Sequence, residues 1–189
     1  GYSPNAKSST NIIVDSYSIN PVHTVKSKYV NLVPSITSSA TFSAAENQTA
    51  IGTVTASDAE GESISFSISG SEINIDSSSG VMTFASAPDY ETKSSYTATV
   101  TASDGTNSAT QDITVTITNI NDNAPSFTSD ATFTVDENQI AIGTVTASDA
   151  DGSDITFSVN SNNISINSST GAIAFISAPD YETQISYTE

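Results

Sequence analysis

Along most of the chain, apolar and small polar residues trade places at every step. Ile64, Phe66 and Ile68 alternate with Ser; Tyr96, Ala98, Val100 and Ala102 alternate with Thr and Ser; Ile113, Val115 and Ile117 alternate with Thr. Period-two alternation built on β-branched residues predicts strands that each bury one face. Turn clusters separate them: Asp58-Ala-Glu-Gly61, Ser77-Ser-Ser-Gly80, Ala87-Pro-Asp89 and Asp104-Gly105. About seven short strands in roughly ninety residues, with no credible long helix, predict an all-β, seven-stranded Greek-key sandwich.

The pattern repeats 91 residues on. TFSAAENQTAIGTVTASDAEG from Thr41 returns as TFTVDENQIAIGTVTASDADG from Thr132, Ser86–Thr92 returns as Ser177–Thr183, and Gly80 returns as Gly171. A fixed period of one small domain makes the chain a tandem array. One repeat runs over 34–124 and the second over 125–189. Tyr187 matches Tyr96, so the second copy has no counterparts of about Thr99 to Thr118, its last two strands. A sandwich without two neighbouring strands is expected to leave an open groove with unpaired backbone.

Residues 1–33 form a separate segment. Ile12–Asp15 resembles Val100-Thr-Ala-Ser-Asp104, and Val25–Val33 can serve as a final strand leading into Pro34. Asp15 lies 19 residues before Pro34 and Asp104 lies 21 before Pro125, so a hairpin shorter by two residues reconciles them. The segment is therefore expected to be a β-hairpin shaped like the strands the second copy lacks. It is either a donor for another copy or the tail of a preceding repeat.

Charge sharpens this division. The formal charge is −17, from 21 acidic residues, four Lys and no Arg. Residues 1–33 hold three of the Lys and one acid, so they carry +2 and the remainder −19. Such a chain should repel nucleic acid and anionic membrane and attract cations. An acidic surface suited to salty surroundings is the plain alternative, but acids at repeat-equivalent turn positions argue for more. Cysteine is absent, which removes disulfides and thiolate metal sites. No apolar run approaches the ~18–20 residues of a membrane span.

The turn acids carry a resemblance. Ala45-Glu46-Asn47 and Asp136-Glu137-Asn138, Asp58-Ala-Glu60 and Asp149-Ala-Asp151, Asp89-Tyr-Glu91 and Asp180-Tyr-Glu182, Ala102-Ser-Asp104, and Asn119-Ile-Asn121-Asp122-Asn123-Ala-Pro125 stand in one order. Together they resemble the cadherin repeat, in a divergent form of the bacterial type. The resemblance implies tandem cadherin/Ig-like sandwiches joined by Ca2+, a hard cation that takes six to eight oxygen ligands. Carried onto this chain, it implies a calcium junction between the repeats held by Glu46, Asp89, Glu91, Asn121, Asp122, Asn123, Asp149 and Asp151. It also implies lesser sites at the outer ends, drawing on Asp15, Asn31, Asp58, Glu60, Asp104, Glu137, Asp180 and Glu182. Two departures weaken the pattern. Asn119 stands where the family prefers Asp, and Val30-Asn-Leu-Val-Pro34 loses most of the acidic linker.

The function expected is that of an extracellular structural or adhesive protein, stiffened by calcium and without catalytic turnover. It is expected to assemble head to tail into a filament by donating its N-terminal strands to the next copy. The alternatives are a window on a long cell-surface adhesin array, a virion fibre, or a glycan-binding module. Asp89 and Glu91 could pair as acid and base, but the pair recurs in both repeats and no third partner is visible. His23 reads as a solvated loop residue, and Tyr90 and Tyr181 read as packing residues before sugar binders.

Overall fold

The computed structural model describes residues 30–188. The expected N-terminal hairpin, up to residue 29 and including Asp15 and His23, lies outside the described residues. The chain divides into two compact units, the first reaching Thr118 and the second starting at Asn119. Both are built from strands, and the described residues contain no helix.

The first unit contains β1 (Ser35–Ile36), β2 (Thr41–Ala45), β3 (Ala50–Thr53), β4 (Ala56–Ser57), β5 (Ser65–Ile68), β6 (Ile73–Ile75), β7 (Val81–Phe84), β8 (Ser95–Ser103) and β9 (Ser108–Thr118). Seven of them make the sandwich: a four-stranded sheet in the order β2-β9-β8-β5 and a three-stranded sheet in the order β3-β7-β6. The short β1 and β4 pair antiparallel beside them. β8 and β9 form a long hairpin, registered from Ser95 opposite Thr116 to Ser103 opposite Ser108. β2 runs parallel to β9, and β5 antiparallel to β8.

The alternation read from the sequence sets the core. Val100, Ala102, Ile113, Val115 and Ile117 are each at most 2% exposed. Val100, Ile113, Val115 and Ile117 cluster with Val54, Ile73, Met82 and Phe84 of the other strands and loops. Burying one Val or Ile contributes about 1.5–3 kcal/mol, so this hairpin carries much of the unit's stability.

The second unit contains β10 (Ser126–Phe127), β11 (Ala141–Thr144), β12 (Ala147–Ser148), β13 (Ile164–Ile166) and β14 (Ala172–Phe175). The three-stranded sheet returns as β11-β14-β13, and β10 pairs with β12 as β1 does with β4. Among the described residues the four-stranded sheet does not return. Residues 132–136 and 156–159, which match β2 and β5 in sequence, form no ladder. Exposure follows: Val54 is 0% and Met82 1% exposed, while their counterparts Val145 and Ile173 are only half-buried, and Phe133 is 39% exposed.

The two units close one turn differently. Asp76 Oδ1 accepts the N–H groups of Ser78 (3.1 Å) and Ser79 (2.8 Å) and the Ser79 hydroxyl (2.8 Å). These bonds, the Ser79 N–H foremost, hold the Asp76 carboxyl below its ordinary range. Its counterpart Asn167 accepts the N–H groups of Ser169 and Thr170 and cannot titrate. A depressed folded-state value stabilises above the unfolded value near ~3.9 and is lost as pH falls through the folded one. Amide exchange at Ser78 and Ser79 should therefore accelerate below about pH 4, with no such rise at Ser169 and Thr170. Asp76→Asn should flatten that acid response.

Candidate metal centre

In the first unit, acidic side chains gather at the two ends of β9. Before its start, two Asx turns orient two carboxylates. Asp58 Oδ1 accepts the N–H groups of Glu60 (2.9 Å) and Glu62 (3.3 Å). Asp104 Oδ1 accepts those of Thr106 and Asn107, both at 2.6 Å. Asx turns of this kind are what Asp does at such positions. They commit one oxygen of each carboxylate to backbone. The other oxygens, Asp58 Oδ2 and Asp104 Oδ2, are buried with no protein hydrogen-bond partner.

More negative charge surrounds them. Carboxylate oxygens of Asp58, Glu60 and Glu62 lie within 4.8 Å of one another. Desolvation, then the charges of Asp58, Asp104 and Glu60, push the carboxyl of the exposed Glu62 up from its ordinary value. The Asp104 carboxyl is held down, by the Asn107 N–H first and the Thr106 N–H second. The incoming segment is clasped to this end. Asn107 Nδ2 donates to Asn31 Oδ1 (2.7 Å) and to the Asn31 carbonyl (3.1 Å), Leu32 N–H donates to Glu60 Oε2 (3.2 Å), and Asn31 Nδ2 donates to Glu62 Oε2 (3.3 Å).

At the other end of β9, Glu46 is the notable residue. It continues the inward parity of Phe42 and Ala44, so it is carried into the interior and is 2% exposed. Its N–H donates to the Thr118 carbonyl, and its Oε2 accepts the Tyr90 N–H at 2.8 Å. Asn47 then turns the chain at φ 63°, a left-handed conformation that Asn tolerates. Carboxylates of Glu46, Asp89 and Glu91 meet within 4.8 Å, and Thr92 ties down Asp89 through both its N–H and its hydroxyl.

The second unit repeats the plan with changes. Asp149 Oδ1 accepts the N–H groups of Asp151 (3.0 Å) and Ser153 (3.4 Å). Asp151 Oδ2 accepts those of Asp122 (3.1 Å) and Asn123 (2.8 Å), Asn119 Nδ2 donates to the Asp151 carbonyl, and Asn121 Nδ2 donates to Ser153 Oγ. Leu32 to Glu60 and Asn123 to Asp151 are one bond, 91 residues apart. Glu137, Asp180 and Glu182 also meet within 4.8 Å, but all three are exposed. The Thr183 hydroxyl, then Glu182, holds the Asp180 carboxyl low.

Within the first unit, the structure thus brings Glu46, Asp89 and Glu91 together, and Asn31, Asp58, Glu60 and Asp104. Within the second it brings Asn121, Asp122, Asn123 and Asp151 together with the Asp149 turn, and separately Glu137, Asp180 and Glu182. Sequence reasoning missed Glu62, Asn107 and Ser153. Glu62 gives no repeat signal, because its counterpart is Ser153. Asn107 was signalled only by the Asp104-Gly-Thr-Asn turn.

Oxygen-only donors in surplus negative charge, two of them buried and unpartnered, suit a hard cation such as calcium. Residues 40–118 match the family model of the cadherin domain. No curated protein matches. Among solved structures, human protocadherin-24 EC1-2 aligns over 82% of this chain and 82% of its own, at 20% identity and a TM-score of 0.70. Mouse cadherin-23 EC22-24 aligns over 82% of this chain and 57% of its own, at 26% identity and a TM-score of 0.67. Domains 3–6 of protocadherin gamma B2 align over 78% of this chain and 44% of their own, at 25% identity and a TM-score of 0.62.

Proposed function

We propose that this chain, cadherin-like in its repeats, is a calcium-stiffened structural or adhesive module that works outside the cell without catalytic turnover. The observation that carries this reading is the pair of buried, unpartnered oxygens on Asp58 and Asp104. Leaving a buried acceptor unsatisfied is costly, more so when it is charged. A bound cation removes that cost and neutralises Glu60 and Glu62 as well. Asp58, Glu60 and Asp104, with an oxygen of Asn31, would hold calcium at that end. Glu46, Asp89 and Glu91 of one unit, and Asn121, Asp122, Asn123, Asp149 and Asp151 of the other, would share the ions that join consecutive repeats. Glu137, Asp180 and Glu182 form the last and most exposed set. Calcium supplies charge neutralisation and cross-linking; the side chains supply its selectivity for a hard ion.

The finer part of the reading is self-association, with copies joined head to tail into a filament through donated N-terminal strands. Support comes from the charge division of +2 against −19 and from the exposed apolar face of the second unit. A second reading, glycan binding, is favoured by Tyr181 alone, which is 63% exposed. Tyr90 packs against the core instead. Saturable binding to a sugar array would favour that reading.

Calcium titration of the 189-residue chain tests the main reading. Free calcium at a thousand times Kd stabilises a site by about 4 kcal/mol, so a chelator should lower the melting temperature markedly. Small-angle scattering should show a shorter, more variable end-to-end distance in the chelator. A melting temperature and scattering profile indifferent to calcium would overturn the assignment.

A further inference from the structure

The two repeats fill one contact differently. In the second unit the linker residue Asn121 reaches the turn that carries Asp149 and Asp151, and its Nδ2 donates to Ser153 Oγ at 2.7 Å. The same two places in the first unit, 91 residues earlier, hold Val30 and Glu62. The linker there has lost an amide, and the turn has gained a carboxylate. Leu32 likewise stands where the second linker has Asn123, so of residues 30–32 only Asn31 carries a side-chain oxygen.

Glu62 belongs to none of the repeated motifs, yet it sits among them. Its N–H donates to Asp58 Oδ1 at 3.3 Å, and its Oε2 accepts from Asn31 Nδ2 at 3.3 Å. Carboxylate oxygens of Glu62, Asp58 and Glu60 lie within 4.8 Å of one another. Beside them, Asp58 Oδ2 and Asp104 Oδ2 are buried without a protein partner among the described residues. The one Lys among residues 30–188 is Lys93, and it is engaged by Glu72. The described residues therefore gather like charges at this end and supply no cation to hold them.

We propose that Glu62 is a direct ligand of the calcium ion held by Asp58, Glu60 and Asp104, filling the place that a linker amide takes in the second repeat. The proposal rests on the calcium reading above, in which Glu62 is merely neutralised, and makes it the residue that sets the affinity of this end.

Oxygen number and charge both favour this role. The Asx turns commit Oδ1 of Asp58 and of Asp104 to backbone N–H groups, which leaves one oxygen of each for the ion. Val30 and Leu32 offer no side-chain oxygen. Asn31 adds one oxygen and Glu60 up to two, which leaves the shell short of the six to eight that calcium takes. A carboxylate at position 62 supplies one or two more and a further negative charge, and ligand charge raises calcium affinity. Its placement suits the task, because Glu62 is exposed while Asp58, Glu60 and Asp104 are half-buried. A carboxylate able to bind through both oxygens also favours calcium over magnesium, which demands a near-octahedral shell and gives up its waters reluctantly.

The test uses the full chain, with calcium titrations followed by NMR at the backbone amides of Glu60, Thr106 and Asn107, so that this end reports for itself. Glu62→Ser should weaken calcium there about tenfold or more. Glu62→Gln keeps the acceptor for Asn31 and loses the charge, and it should weaken calcium about three- to tenfold. Adding Val30→Asn to Glu62→Ser reproduces the pair Asn121 and Ser153, and should recover at least about threefold of the loss. At about 1 M salt, where the Debye length is about 3 Å, the Glu62→Ser loss should persist, because a ligand touching the ion is not screened. A loss that disappears in salt would make Glu62 a remote charge and overturn the proposal. An affinity unchanged in Glu62→Ser would overturn it too, and a response still abolished by Asp58→Asn/Asp104→Asn would then leave the calcium reading standing. No recovery with Val30→Asn would overturn the exchange between linker and turn. Amides indifferent to calcium in the parent chain would overturn both the proposal and the calcium reading of this end.

Discussion

Gly80→Ala is expected to cost the first unit about 3 kcal/mol or more, lowering its melting temperature by about 12 °C or more. Gly80 sits at φ +72°, and a Cβ there would lie 2.2 Å from the Val54 carbonyl oxygen and 3.3 Å from a Phe66 ring carbon. The carbonyl cannot retreat cheaply. Val54 is fully buried, its N–H donates to the Gly80 carbonyl at 2.9 Å, and the Gly80 N–H donates to the Asp76 carbonyl at 2.9 Å. Gly61 gives the control: it also has positive φ, at +79°, but a Cβ there meets nothing within 4 Å. Gly61→Ala should cost only the left-handed backbone penalty of about 1–2 kcal/mol. Chemical denaturation of the two variants separates the clash from the conformation. Equal losses would show that the close approach at Gly80 contributes nothing.

Gly80 was visible in the sequence as a repeated turn glycine, but its tight contact was not. Sequence shows which residue recurs, whereas the distance to Val54 depends on strands brought together from far along the chain. Alternation at Ile113, Val115 and Ile117 was readable because a strand has a strict two-residue period, and the structure buries all three. Glu46 tested the limit of that logic. Its parity placed it inward, yet a charge seldom goes inside, and the Tyr90 N–H that Glu46 accepts there comes from 44 residues along the chain, visible only once the strands are assembled. Glu137 has the same parity but is exposed, and among the described residues of its unit no strand stands in the places of β8 and β9. Glu62 escaped because comparing the repeats discards whatever one copy lacks. The short Asp104-Gly-Thr-Asn turn hid Asn107 in the same way, since its counterpart falls past Glu189.

Asp58→Asn/Asp104→Asn should change the sign of its effect with calcium. An Asn keeps the Oδ1 that accepts the turn N–H groups, so both Asx turns survive. What is lost is the negative charge on Asp58 Oδ2 and Asp104 Oδ2, the two buried carboxylate oxygens without protein partners among the described residues. In chelator those charges oppose each other and Glu60, and they raise the Glu62 carboxyl. Removing them should leave the melting temperature of the first unit unchanged or higher, and Glu62 should ionise at lower pH. With millimolar calcium the order reverses. Ligand charge sets calcium affinity, so losing two carboxylates should weaken that site about 100-fold or more, and the variant should melt below the parent chain. The two melting curves, each with and without calcium, therefore cross. Carboxylates that served only to close turns would leave the variant indifferent to calcium relative to its parent, and the metal reading of this end would fall.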